Sequence, residues 1–211
     1  MILLKPRPQK WRYQLQLHNV LEKTNAINDT SSSTQMDIDT DNESELDYDL
    51  DFTLLETVID FLMNKLSDKE YIVRWSAAKG LGRICERLTK EMVEEIFHNL
   101  FDLFNDDENE FAWHGACLCI AELCKRGMIL PNRLTELIPY LERALIYERN
   151  KGTFCTGSNV RDAACYIVWA LARSFTVDIM KTHVDRLAST LILTILFDKE
   201  VNCRRAASAA F

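Results

Sequence analysis

Cysteine and histidine are the residues of this chain best suited to nucleophilic catalysis or metal binding. A cysteine nucleophile needs a histidine base and an orienting acid beside it, and a zinc site needs clustered Cys and His ligands at recurring spacing. The seven cysteines are scattered, most of them inside apolar helical patterns, and neither a CxxC pair nor a histidine cluster accompanies them. The sequence therefore predicts reduced core thiols, with no metal site and no cofactor.

His114, next to Trp113, is the histidine best placed for a catalytic role. No Ser or Cys with an orienting acid is identifiable beside it, so a structural position at a helix start is favoured. The GLGRIC segment, residues 80–85, lies inside a helical pattern and does not follow a strand, so it is not a phosphate-binding loop. Glu94 and Glu95 are typical of a solvated helix surface. We therefore predict no enzyme active site and no catalytic residue.

The elements that position these residues follow from a pattern that occurs four times. Its clearest copy is Val73-Arg74-x-x-Ala77-x-x-Gly80-Leu81-x-x-Ile84. The same frame begins again at residues 112, 160 and 203, so the starts lie 39, 48 and 43 residues apart. Repetition at this period predicts a solenoid of stacked helix pairs. The small third key residue should let neighbouring helices approach closely; it is Ala77, Ala116, Ala164 or Ala207.

Helical periodicity extends from residue 52 to the end of the sequence. The predicted helix pairs are 53–66 with 71–87, 90–104 with 109–126, 132–147 with 159–175, and 177–197 with a truncated 200–211. They form repeats at about 52–88, 89–127, 128–175 and 176–211. Thr89 is expected to cap a helix start and Gly127 a helix end. The predicted fold is an all-α, HEAT-repeat solenoid with a right-handed superhelix and almost no strand.

An aspartate lies six residues before the second key position in three of the four copies. The pairs are Asp68 with Arg74, Asp107 with Trp113, and Asp198 with Arg204. We expect these carboxylates to accept from amides at the start of the following helix, and to face arginines in a ladder along the solenoid. The third copy has Cys155 at this position, within a longer loop.

The net charge of −7 is distributed unevenly. Residues 1–23 carry five basic residues and one acidic residue, a net +4, and are predicted to be the remnant of an upstream helical repeat. Residues 24–51 carry nine acidic residues without Lys or Arg, and are predicted to be an acidic disordered insertion. This insertion is either simply solvated, or an acidic tether that contacts a basic patch or is phosphorylated. The remainder, 52–211, has a net charge of only −2, without a basic stripe, so nucleic-acid binding is not expected.

The apolar residues 184–197 are too few to span a bilayer, and charged residues interrupt their start. We interpret them as a helix buried in the solenoid. The first residues have an apolar run before their basic residues, the reverse of a secretory signal. No membrane span is therefore predicted.

Several segments of the repeat region resemble the tubulin-folding cofactor D family. They are YIVRWSAAKGLGRICERL (71–88), AWHGACLCIAELCKRGMILPNRL (112–134), SNVRDAACYIVWALAR (158–173) and VNCRRAASAAF (201–211), with LKPRPQKWRY (4–13) upstream. The resemblance covers nearly all of 52–211 and the extreme N-terminus, but not 24–51. The chain is much shorter than the family, so we interpret it as an internal fragment.

The resemblance implies a cytoplasmic, microtubule-associated chaperone that holds β-tubulin after its release from the cytosolic chaperonin. Such a chaperone works with tubulin-folding cofactors C and E and an Arf-like small GTPase to assemble and disassemble the α/β-tubulin heterodimer. With these partners it stimulates GTP hydrolysis by tubulin, so the GTP chemistry belongs to the bound partner. The alternatives are a generic HEAT-repeat scaffold of the transport or phosphatase type, an enzyme hidden in the solenoid, or a non-functional fragment.

Two groups of residues are candidates for partner contact. The loop 148–159 interrupts a helix pair and carries Arg149, Lys151 and Phe154, a basic and aromatic set that suits acidic tubulin. An ordinary insertion is the alternative for this loop. The second group is Arg74 with Trp75 and Trp113 with His114, since Trp and Arg are enriched in interface hot spots. For this group the alternative is packing inside the solenoid.

Overall fold

The computed structural model describes residues 52–211; for residue 52 it describes the backbone alone. The predictions for 1–23 and for the acidic segment 24–51 lie outside the described residues. The elements are α1 (Phe52–Lys65), α2 (Tyr71–Cys85), α3 (Lys90–Asp102), α4 (Glu110–Lys125), a 3-10 turn (Pro131–Arg133), α5 (Leu134–Leu145), β1 (Arg149–Lys151), β2 (Phe154–Thr156), α6 (Ser158–Ser174), α7 (Val177–Phe197) and α8 (Val201–Ala210). The helix bounds expected from periodicity agree with these to within two residues.

The helices form four pairs that stack side by side. Within the pairs, α1 packs on α2, α3 on α4, α5 on α6, and α7 on α8. The second helices make a continuous layer, in which α2 packs on α4, α4 on α6, and α6 on α8. One repeat cannot bury its own apolar face, so each depends on its neighbours. The prediction of an all-α helical-repeat solenoid is confirmed.

Alanine at the third key position allows the second helices to pack closely. Ala77, Ala116, Ala164 and Ala207 are each at most 2% exposed. The central helix α4 is buried at every position from Ala112 to Cys124, because α2 and α6 flank it and α3 packs against it. The repeat pattern therefore identifies the core of this layer correctly.

Both predicted helix caps are present. Thr89 accepts a hydrogen bond through Oγ1 from the amide of Met92 at 3.5 Å. Gly127 has φ +69°, and its amide donates to the carbonyl of Cys124 at 2.9 Å while the next amide, of Met128, donates to Leu123 at 3.0 Å. This is the hydrogen-bond pattern of a Schellman helix end, in which glycine adopts the left-handed conformation.

The loop between α5 and α6 differs from its prediction, because it contains a β-hairpin. Strands β1 and β2 are antiparallel, with Arg149 opposite Thr156 and Lys151 opposite Phe154. Two residues connect them, and the first, Gly152, has φ +67°. A glycine at this place is what a tight hairpin turn requires. The turn at Gly152 thus joins two paired strands of three residues each. Strands this short do not show enough alternation of apolar and polar residues to be predicted from the sequence.

Helix α7 is buried on one face only, which corrects its interpretation as a buried helix. Leu187 and Leu191 lie in the core, whereas Leu193, Leu196 and Phe197 are exposed. Within residues 52–211, no helix is both long and apolar enough to cross a membrane.

Candidate functional site

The side chain at the second key position of each repeat binds the turn that precedes its own helix. Every one of these four side chains donates to a backbone carbonyl of that turn. Arg74 Nη1 binds Asp68 and Lys69 at 2.7 and 2.9 Å, Trp113 Nε1 binds Asp106 at 3.1 Å, Arg161 Nη1 binds Tyr147 at 2.8 Å, and Arg204 Nη1 binds Asp198 and Lys199 at 2.6 and 3.1 Å. The second key position of each repeat therefore ties the second helix to the preceding turn by a hydrogen bond.

The aspartates of these turns behave only partly as predicted. Asp68 and Asp198 accept from backbone amides two residues later, at 3.0 and 2.8 Å. In the second repeat Asp106 makes this contact, whereas Asp107 binds Arg143. The expected Asp–Arg ladder is therefore present at two places in the described repeats: this Asp107–Arg143 pair, and a bidentate pair in which Arg161 donates to the carboxylate of Asp198 at 2.6 and 3.1 Å. The ladder prediction is wrong at the first turn, because Arg74 binds carbonyl oxygens there and Asp68 pairs with Lys65.

Arg74 and His114 join the first repeat to the second. Arg74 Nε donates to His114 Nδ1 at 2.8 Å, and each residue is only 2% exposed. The ring of Tyr71 lies 5.3 Å from the imidazole, and the guanidinium carbon of Arg74 lies 5.1 Å from the Phe111 ring. Burial, with the nearby Arg74 charge, lowers the pKa of His114 to about 3. The imidazole is therefore neutral, and its Nδ1 accepts the hydrogen bond that links the first repeat to the second.

This burial changes the role expected for three candidate partner contacts. Trp113 is 1% exposed and packs its ring 4.8 Å from that of Phe104 and 5.0 Å from that of Tyr147. Arg74 and His114 lie equally deep, so none of the three offers surface to a partner in this arrangement. We assign all three residues to packing between and within repeats. Packing inside the solenoid was the alternative to partner contact that the sequence left open for them.

We expect the stability of the chain to fall in mildly acid solution because of His114. Its pKa is about 3 when folded, against an ordinary value of 6.5, so the unfolded chain binds more protons between these values. The stabilisation is complete above about pH 6.5 and decreases as the pH falls towards 3, by about 2 kcal/mol at about pH 5.

Urea unfolding measured across this pH range tests the effect. His114→Asn keeps a hydrogen-bond acceptor near Arg74 but cannot titrate, so it serves as the reference chain. The difference in unfolding free energy between the two chains should shrink as the pH is lowered. A constant difference would contradict the role of His114, because all other titrating groups are common to both.

The hairpin places its basic side chains on the start of α4. Arg149 Nη2 lies 3.1 Å from the Glu108 carboxylate, and Lys151 Nζ lies 3.2 Å from that of Glu110. Phe154, at the end of the hairpin turn, is 60% exposed. The structure therefore brings Arg149 and Lys151 together with acidic partners of the preceding repeat, and leaves Phe154 as the projecting group.

Trp75 belongs to a larger surface that the sequence did not reveal. Its ring centroid lies 6.5 Å from that of Tyr166, which lies 5.8 Å from that of Trp169. Lys79 Nζ lies 4.4 Å from the centroid of Trp75, and Arg173 Cζ lies 4.9 Å from that of Trp169. We call these five residues the aromatic stripe. It crosses from α2 to α6 over the buried helix α4.

A buried carboxylate fixes the middle of the aromatic stripe. Glu122 is 1% exposed, accepts from the Tyr166 hydroxyl at 2.9 Å, and pairs with Arg126. Arg126 in turn lies 3.8 Å from Glu86. Burial raises the pKa of Glu122, but the hydrogen bonds from Arg126 and Tyr166 outweigh it and leave the pKa below its usual value. The carboxylate is therefore ionised and orients the tyrosine ring, and it is not poised to transfer a proton.

The described residues contain no arrangement typical of an enzyme. Among residues 52–211 no group of three His, Cys, Asp or Glu side chains could hold a metal ion. Six of the seven cysteines are buried, and burial raises the pKa of Cys85 and Cys165 to about 12. An apolar cleft of about 640 Å³ between α6, α7 and α8 has Arg173 and Asp178 as its charged lining residues. In a second cleft the acidic and basic lining residues form the ion pairs Arg161–Asp198 and Lys199–Glu148.

The complete chain, residues 1–211, matches the family model described as "Tubulin-specific chaperone D-like, ARM repeats". The chain belongs to this family. A relative from Dictyostelium discoideum, "Tubulin-specific chaperone D", is 43% identical over 152 residues, which are 69% of this chain and 10% of the relative. "Tubulin-folding cofactor D" from Schizosaccharomyces pombe is 36% identical over 170 residues, 74% of this chain and 15% of the relative. No solved structure matches the chain.

Family membership confirms the resemblance seen in the sequence segments. The chain spans only about a tenth to a seventh of the length of these two relatives. The family description names ARM repeats, a class of stacked helical repeats closely related to the predicted HEAT repeats. Both relatives are named for tubulin, one as a tubulin-specific chaperone and the other as a tubulin-folding cofactor.

Proposed function

We propose that this chain is a binding segment of a tubulin chaperone and acts on β-tubulin in the cytoplasm, in association with the microtubule cytoskeleton. The observation that carries the proposal is the family match over residues 1–211, together with relatives named for tubulin folding. In this proposal the chain works with tubulin-folding cofactors C and E and an Arf-like small GTPase. The assembly builds and takes apart the α/β-tubulin heterodimer and stimulates GTP hydrolysis by tubulin.

The proposed mechanism is binding without catalysis by the chain itself. Stacked helix pairs give an extended surface whose shape is fixed by contacts between neighbouring repeats. The ionisable groups buried here, such as Glu122 and His114, are engaged in hydrogen bonds inside the solenoid. Nucleotide hydrolysis would therefore use groups of tubulin, while this chain contributes a rigid platform.

Within this proposal, Phe154 is the hairpin residue that contacts tubulin. It is 60% exposed, whereas the charges of Arg149 and Lys151 are already matched by Glu108 and Glu110. An exposed aromatic ring on a short, strand-paired loop loses little conformational freedom on binding. The two basic residues then serve mainly to hold the hairpin against α4.

We expect Phe154→Ala to weaken capture of purified tubulin by the complete chain by about tenfold, since an aromatic anchor is typical of an interface hot spot. Binding is measured by pulldown over a range of tubulin concentrations. Phe61→Ala is the matched control, because Phe61 is 59% exposed but lies on α1. Equal binding by both variants would remove the hairpin from the interface and keep the function. Absence of tubulin binding by the unmodified, helical chain would contradict the proposed function.

A further inference from the structure

We propose that the aromatic stripe is a docking surface for an extended, acidic peptide segment of a partner protein. The proposal rests on the geometry of Trp75, Lys79, Tyr166, Trp169 and Arg173, and is independent of the tubulin role. The stripe lies on the layer of second helices, whereas the hairpin packs at the start of α4.

The spacing of the three rings matches an extended chain. The ring centroids of Trp75, Tyr166 and Trp169 are separated by 6.5 and 5.8 Å. In an extended peptide, alternate side chains point to the same side and lie about 6.6 Å apart. Alternate apolar side chains of one extended segment can therefore each contact one ring.

The middle of the stripe is held in place before any ligand binds. Tyr166 donates to the buried Glu122, and Arg126 binds the other oxygen of the same carboxylate. The three aromatic residues are each partly buried, so part of each side chain remains accessible to a ligand. A rigid aromatic surface of this kind binds with a small loss of side-chain entropy. Such anchors are frequent at the centres of protein interfaces.

The charges beside the two tryptophans of the stripe indicate an acidic ligand. Lys79 and Arg173 each stack on a tryptophan, and within the described residues neither has an ion-pair partner. Arg126, in contrast, is paired with Glu122 and Glu86. A ligand carboxylate beside either tryptophan would therefore meet a cation that is already desolvated on one side by an indole ring. The best ligand has alternate apolar residues flanked by Asp or Glu.

A single-stranded nucleic acid could also stack on such rings. The repeat region, however, has a net charge of −2, and Glu86 and Glu122 lie beside the stripe. Lys79 and Arg173, which have no ion-pair partner in the part of the chain that the structure describes, offer little to a polyphosphate that carries one charge per nucleotide. The balance of charge therefore favours a peptide with a few carboxylates.

Fluorescence anisotropy of a labelled synthetic peptide tests the proposal on the complete chain. In the probe, Leu and Phe alternate with Ser, and two Glu stand at each end; a second probe has Gln in place of Glu. The Glu probe should bind, and the Gln probe should bind at least about tenfold more weakly. The double variant Lys79→Glu/Arg173→Glu should lower affinity for the Glu probe by a similar factor.

The matched control is Lys90→Glu/Lys181→Glu, which changes the net charge equally at exposed positions on α3 and α7. It should bind the Glu probe as the unmodified chain does. Trp169→Ala, checked for folding by thermal melting, should weaken binding of both probes. The proposal is overturned if no probe binds, if both charge variants weaken binding equally, or if a uridine oligonucleotide binds more tightly than the Glu probe. It is also overturned if binding appears only after deletion of residues 24–51, since the chain's own acidic segment would then be the occupant.

Discussion

Replacing Gly115 by alanine is expected to destabilise the chain by about 3 kcal/mol, although alanine is the better helix former. Gly115 lies within α4, in its buried run from Ala112 to Cys124. A Cβ at this position would lie 1.9 Å from the carbonyl oxygen of Leu66 and 2.7 Å from its carbonyl carbon. These are backbone atoms at the end of α1, which cannot rotate aside as a side chain can. The whole of α1 must therefore move away from α4.

Gly80→Ala is the matched control for this prediction. Gly80 also lies inside a helix, but its added Cβ would meet only the flexible Leu62 side chain, at 3.3 Å. The gain in helix propensity and this mild contact should nearly cancel, and the change should stay within about 1 kcal/mol. Urea unfolding followed by circular dichroism measures both variants. If Gly115→Ala proves as stable as Gly80→Ala, α1 is free to shift, and the close approach of Leu66 is not a constraint on the fold.

Gly115 also shows where reasoning from the sequence ends. The repeat pattern locates Trp113 and Ala116 correctly and leaves the positions between them unspecified. The helices themselves are predictable because their apolar periodicity is local, and a solenoid contacts only its sequence neighbours. The contact between residues 66 and 115 depends on how closely α1 approaches α4, which no single repeat encodes.

The candidate site was less predictable than the fold for the same reason. The residue types at Arg74 and Trp113 suggest a partner surface, but burial depends on the neighbouring repeat. The spacing of four residues between Trp75 and Lys79 recurs between Trp169 and Arg173, and this was the available signal for the aromatic stripe. That these residues form one surface follows only from the contact between Trp75 of α2 and Tyr166 of α6.

Replacing Arg74 by methionine is expected to destabilise the chain by about 3 kcal/mol, because the buried imidazole of His114 and two part-buried carbonyls lose their donor at once. The guanidinium donates to His114 Nδ1 and to the carbonyls of Asp68 and Lys69, at 2.7 to 2.9 Å. Methionine fills much of the space left by the arginine stem but donates nothing. The turn between α1 and α2 and the junction with the second repeat therefore lose their hydrogen bonds together.

Arg204→Met shows how much unfolding free energy the local hydrogen bonds contribute when the arginine is not buried. Arg204 makes the same pair of contacts to its own turn, at 2.6 and 3.1 Å, but it is only partly buried. Water can replace its bonds, so the loss should be about 1 kcal/mol. Equal losses at Arg74 and Arg204 would show that the junction with His114 contributes nothing.

A double variant isolates the contribution of that junction. In Arg74→Met/His114→Leu both hydrogen-bonding partners are replaced by apolar groups, so the imidazole is no longer buried without a donor. The double variant should therefore lose less unfolding free energy than the sum of the two single variants, by about 1–2 kcal/mol. Strict additivity would mean that Arg74 acts only on its own turn, and that the first two repeats are joined by apolar packing alone.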